Sequence, residues 1–203
     1  MKRRDAISLL LGLGAGLWGG RPRRAAALGP ASQVRLAQLL YQGGNPAPRP
    51  TALRRLAWEV EKRTSIDVAL EPVSLRASDR ALFEHPFLLL GGDQAFPLPP
   101  TPELDRLRLF VQRGGFLLVD SADARPGGGF DQSARRLVAA LLPDQPLRRL
   151  PAGHVVSKSF YLLERAVGRV ATVPYLEGVE RDGRLVLLYC QNDLAGAWAR
   201  DNF

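Results

Sequence analysis

Four short segments hold most of the side chains that could do chemistry: Gln42-Gly43-Gly44-Asn45, Gly91-Gly92-Asp93-Gln94, Asp120-Ser121-Ala122-Asp123 and Gln191-Asn192-Asp193. Each follows an apolar run, the pattern of a strand that ends in a polar loop. In open α/β sheets ligands sit beyond the carboxyl ends of the strands, so parallel strands would gather these loops on one rim. The candidate ligand-binding residues are therefore Gly43, Gly44, Asn45, Gly91, Gly92, Asp93, Asp120, Ser121, Asp123 and Asp193. Glycine would let a ligand approach the backbone closely. On the competing reading, the glycines only turn the chain and the aspartates cap the next element.

Carboxylates and imidazole are the groups that ligate a divalent cation or pair as general acid and base. Asp120, Asp123 and Asp131, with His154, are the candidates for that chemistry. Asp120 stands out because it comes directly after an apolar strand. No His-x-x-x-His spacing or comparable metal pattern joins them. Neither reading names a cofactor.

Nucleophilic catalysis has less support. A nucleophile elbow needs Ser or Cys on a tight turn between strand and helix, and Gly91-Gly92-Asp93-Gln94-Ala95 carries neither. Cys190 ends an apolar strand, the setting of a buried, inert thiol. Gly127-Gly128-Gly129 precedes a helix start and would either cradle an anion or serve as a flexible loop. No Walker loop or dinucleotide glycine fingerprint occurs.

The elements that must position these residues alternate. Val34 to Tyr41 reads as a strand. Thr51 caps a helix running to Thr64, with Leu53, Leu56, Ala57 and Val60 as its apolar stripe. Asp67 to Val73 and Pro86 to Leu90 are further strands. Thr101-Pro102-Glu103 opens a second helix, lined by Leu104, Leu107, Phe110 and Val111 and stopped by Gly114. Phe116 to Val119 is a buried strand. Asp131 caps a third helix with Ala134, Leu137, Val138 and Leu141 inward, and Pro143 ends it. Asp182-Gly183 is a hairpin turn before the strand Leu185 to Cys190. Strands alternating with helices predict an α/β fold with a mainly parallel sheet and helices on both faces, a three-layer α/β/α arrangement.

The N-terminus sets the expected location. Lys2-Arg3-Arg4-Asp5 carries a twin arginine, Ile7 to Trp18 is apolar, and Ala25-Ala26-Ala27 offers a cleavage site. This reads as a twin-arginine translocation (Tat) signal peptide over residues 1–27, engaging the export machinery through Arg3 and Arg4. Residues 28–33 follow as a lead-in, and residues 34–203 as a single domain. The expected location is the periplasm or another extracytoplasmic space. The apolar run is shorter than the ~20 residues of a membrane span. The leader holds six of the 28 basic residues and one of the 20 acidic ones, so much of the net charge of +8 leaves with it. A mature chain near +3 argues against nucleic-acid binding. Arg135-Arg136 and Arg148-Arg149 then read as solvated charge. One cysteine cannot form an internal disulfide, so the fold must rest on its core.

Several segments together resemble the bacterial DUF4159 family. They are Tyr41-Gln42-Gly43-Gly44, Pro86 through Gly92, Leu107-Arg108, Gly114 through Asp120, Phe130-Asp131, Leu150 through His154, Tyr175 through Val179, Asp182-Gly183-Arg184, and Asn192 through Trp198. The resemblance implies a flavodoxin-like fold similar to class I glutamine amidotransferase domains, and it brings no established catalytic set. Two departures stand out. Family members often carry a Gly-His-Gly turn where this chain has Gly91-Gly92-Asp93, so no role for that histidine carries over. The family pattern continues into a C-terminal helix after the tryptophan, which predicts that a chain ending at Phe203 is a truncated or shortened member. The resulting expectation is an exported, non-catalytic module that binds a small-molecule ligand or an unidentified protein. The alternative is a metal-assisted hydrolase using Asp120, Asp123 and His154.

Overall fold

Phe87-Leu-Leu-Leu and Phe116-Leu-Leu-Val are apolar on both faces, which only a strand covered on both sides can afford. In the computed structural model, which describes residues 33–158, 165–166 and 168–199, they form the middle of a seven-stranded sheet. The leader reading lies outside the described residues. The strands are β1 (Ala37–Leu40), β2 (Val73–Arg76), β3 (Phe87–Gly92), β4 (Phe116–Ser121), β5 (Arg148–Arg149), β6 (Glu177–Arg181) and β7 (Arg184–Cys190). Their order is β2-β1-β3-β4-β7-β6-β5. The first five are mutually parallel, and β6 and β5 extend the sheet in antiparallel fashion. The parallel part has the strand order of doubly wound sheets that switch direction between the first and third strands.

Helices α2 (Thr101–Gln112) and α3 (Gly129–Leu141) cover one face, and α1 (Ala52–Arg63) and the short α4 (Leu194–Ala199) the other. Strand side chains alternate between them. Leu88, Leu90, Leu117, Val119 and Tyr189 join the α2/α3 core, while Leu89, Leu118 and Leu188 join the α1/α4 core. The predicted stripes are the buried faces: Leu53 and Ala57 in α1, Leu107, Phe110 and Val111 in α2, and Ala134, Leu137, Val138 and Leu141 in α3. The fold is thus the expected three-layer α/β/α arrangement. No helix of the described residues is long and apolar enough to cross a membrane.

Local expectations shift in five places. Thr51 stands at the cap position of α1 as expected, but its hydroxyl makes no capping bond and donates to the Ala199 carbonyl instead. The strand expected over Asp67 to Val73 reduces to one bridge, Val34 to Val68, followed by β2 from Val73. Pro72 has no N–H to give the ladder, and the chain bows out at Leu70. Thr101 is the first residue of α2 rather than its cap, which is Pro100. Asp131 is the third residue of α3, whose cap is Gly128. Finally, Gly91, Gly92, Asp120 and Ser121 are the last residues of β3 and β4 rather than loop. The sheet runs two residues further because Gly91 pairs with Asp120 and Gly92 with Ser121.

Candidate functional site

Strand alternation separates two neighbours. Asp120 follows Leu118 onto the α1/α4 face, and Ser121 follows Val119 onto the α2/α3 face. The rim therefore holds two polar clusters back to back.

On the first face Asp120 is fully buried. Its Oδ1 accepts from the Leu194 N–H at 2.8 Å and its Oδ2 from the Ala195 N–H at 2.9 Å, which satisfies two unpaired donors at the start of α4. Burial pushes its carboxyl up to about 7, the two N–H bonds oppose that shift, and neighbouring Asp193 adds to it. Asp193 is also fully buried, at a left-handed φ of 55°. It accepts from Gly196 N–H at 2.9 Å, from Arg49 Nε and Nη2 at 3.1 and 2.7 Å, and from Arg169. Cys190 lies beside this group, its thiol pushed up to about 12 by burial and then by Asp120. It is the inert thiol expected. Asn192, equally buried, holds the preceding segment: its Nδ2 donates to the Ala166 and Val173 carbonyls and its Oδ1 accepts from Val173 N–H.

On the second face Ser121 Oγ donates to Asp123 Oδ1 at 2.6 Å, and Tyr189 Oη donates to Asp131 Oδ1 at 2.8 Å. Burial, then the charge of Asp131, holds the Tyr189 phenol far above its ordinary range. Arg135 reaches Asp131 at 2.9 Å and grips both oxygens of Glu177, at 3.1 and 2.7 Å. Gln191 Nε2 donates to Glu177 at 2.8 Å. The sequence reading placed Gln191 on the rim, missed Glu177 and Tyr189, and took Arg135 for solvated charge. One signal was available, since Asp131 and Arg135 are four apart on a helix.

At the β1/β3 switch the chain packs upon itself. Gly43 and Gly44 turn with φ of 73° and 61°. Asn45 Nδ2 donates to Asp93 Oδ2 at 3.1 Å, and Tyr41 Oη donates to the Gly91 carbonyl at 2.9 Å. The close approach that Gly92 permits is to its own fold, because a Cβ there would lie 2.2 Å from the Phe130 ring and 2.3 Å from Tyr41 Oη. Tyr41, Phe96 and Phe130 fill this crevice, with successive ring centroids 4.5 and 5.5 Å apart. Two buried rim oxygens, Asp93 Oδ1 and Gln191 Oε1, have no hydrogen-bond partner among the described residues.

His154 belongs to neither cluster. Its Nδ1 accepts from Val156 N–H, which leaves Nε2 as the donor to Glu180 at 3.0 Å, beside β6. The set Asp120, Asp123 and His154 is thus split among separate partners, and among the described residues no three His, Cys, Asp or Glu side chains form a group able to hold a metal. Asp131, the fourth carboxylate considered, is committed to Tyr189, Arg135 and the Gly127 N–H. That last bond closes the glycine loop onto α3. Four cavities of about 120 to 410 Å³ are lined by residues away from these strand ends.

Among proteins of curated function none matches the chain. Residues 35–203 match the family model described as "Domain of unknown function (DUF4159)", well over half the sequence, and the chain belongs to that family.

Proposed function

We propose that the chain is an exported, non-catalytic binding or assembly module. One observation carries this reading: apart from Asp93 Oδ1 and Gln191 Oε1, the buried polar atoms of the strand-end side chains are spent on one another and on backbone groups. Asp120 and Asp193 anchor α4, while Asp131, Arg135 and Glu177 tie α3 to β6. Where an amidotransferase-like fold would carry its nucleophile, this chain has Gly92 and Asp93, and Cys190 is buried. The parallel strand order supports the likeness to flavodoxin-like folds. The twin arginine and the small-residue site at Ala25-Ala26-Ala27 support export by the Tat route.

The test is a thermal melt of the purified chain from residue 28 onward, first with EDTA and then with a panel of divalent cations. The module reading expects one sharp transition that no cation moves. A transition raised several degrees by one cation would mean a native-state metal site and would put the metal-assisted hydrolase in its place. Export is tested separately: replacing Arg3 and Arg4 with lysine should leave the protein in the cytoplasm.

A further inference from the structure

The two edges of the sheet are finished differently. At the β2 edge, the Arg76 N–H donates to Asp79 Oδ2 at 2.8 Å and the Asp79 N–H returns to the Arg76 carbonyl at 3.0 Å. Arg106 then bonds the Ala77 and Asp79 carbonyls. The Arg76 end of that edge is tied off by its own turn.

Among the described residues the β5 edge is open. Arg148 pairs with Gly178 and Arg149 with Glu177, and the Leu150 N–H donates to the Leu176 carbonyl at 2.9 Å. Hydrogen-bonded and non-bonded pairs alternate along an antiparallel ladder. The N–H and C=O of Arg149, and those of Leu147, therefore point away from β6. Among the described residues nothing bonds them. An edge of this kind is a template for another strand.

Its chemistry is basic. Arg148 and Arg149 are both exposed. Arg149 is held in place, its guanidinium 3.9 Å from the Tyr175 ring centroid and its Nη2 donating to Tyr175 Oη. Arg148 has no partner among the described residues. Opposite it stands Gly178, which has no side chain, and a groove of about 290 Å³ opens there, lined in part by Pro146, Arg148, Leu150, Val179 and Glu180. The carboxylates of Asp144 and Glu180 also line this groove, Glu180 accepting from His154 Nε2, while Glu177 is paired with Arg135. Pro146 and Pro151 bound the open stretch, so only a short segment fits.

Resting on the module reading above, we propose that β5 is a docking edge where a short, extended, acidic segment of a partner protein adds as an eighth strand. Its backbone would pair with Arg149 and Leu147, and its carboxylates would meet Arg148 on the face that holds the groove beside Gly178, with the alternating apolar side chains on the opposite face. The Arg148-Arg149 pair, read from sequence as solvated charge, would then set the sign of the partner.

Fluorescence anisotropy with the full chain and a short labelled peptide of alternating glutamate and valine tests this. Expected are saturable binding, loss of at least about tenfold in affinity for Arg148→Glu, and similar loss when the peptide backbone is N-methylated at alternate residues. A peptide of alternating lysine and valine should not bind. The proposal is overturned by no binding of the acidic peptide, by equal binding of the lysine peptide, or by affinity indifferent to Arg148→Glu. Undiminished binding of the N-methylated peptide would overturn strand addition as well. The cation melt decides the module reading independently, so a flat melt with no peptide binding removes only the docking edge.

Discussion

Asp120 and Ser121 are adjacent in sequence and belong to different worlds. Asp120 spends both oxygens on the backbone of α4 and lies next to a second buried carboxylate, Asp193, which two arginines neutralise. Ser121 begins a chain of side-chain bonds through Asp123 on one side and, past Tyr189, through Asp131, Arg135 and Glu177. The α4 face uses buried charge to fix the start of a helix whose six described residues would not be stable alone. The α3 face uses a half-exposed arginine to join elements that already have a large core. Buried charge at a strand end is thus not by itself a sign of catalysis; what it touches decides.

The largest expected effect breaks the α4 face. Asp193→Ala removes the partner of Arg49 and Arg169 and the acceptor for Gly196, and should cost about 3 kcal/mol in urea unfolding. Arg135→Ala on the α3 face should cost less, about 2 kcal/mol: it strips the cation from the buried Asp131 and Glu177 carboxylates, but Tyr189, Gly127 and Gln191 still donate to them. A loss there equal to that of Asp193→Ala would erase the contrast between the faces. Combining the two should give losses that add within about 0.5 kcal/mol, since the residues share no partner. Stronger coupling would mean one network rather than two.

A further effect sharpens the comparison through pH. Burial raises the Asp120 carboxyl to about 7, whereas an unfolded aspartate titrates at about 4. The folded state therefore holds this proton more tightly, and the group's contribution is whole below about pH 4 and lost as the pH rises through about 7. Unfolding free energy should fall between about pH 4 and pH 7, and the fall should be shallower in Asp120→Asn. An unchanged slope in that variant would mean the carboxyl titrates normally.

Much of the fold was legible because the signals were local. The apolar stripes of α1, α2 and α3 and the two-sided apolar runs of β3, β4 and β7 are read within a single element. The rim was half legible. Its residues end the right strands, yet their partners are remote: Leu194 is 74 positions from Asp120, and Glu177 is 42 from Arg135. Gly92 looked like loop because only the placed Phe130 and Tyr41 rings reveal why a strand must end in glycine. The start of α4 depends on Asp193 adopting a left-handed backbone, which Asn192-Asp193 in the sequence does not announce.

The central claim is that the strand-end carboxylates serve the fold. Urea unfolding of Asp120→Ala at about pH 6 tests it most directly. Residues kept for binding or catalysis are held at some cost to stability, and removing them usually leaves stability unchanged or raises it. The account predicts the opposite, a loss of about 2 kcal/mol from two buried N–H groups left without an acceptor. An Asp120→Ala chain as stable as the parent, or more so, would contradict it.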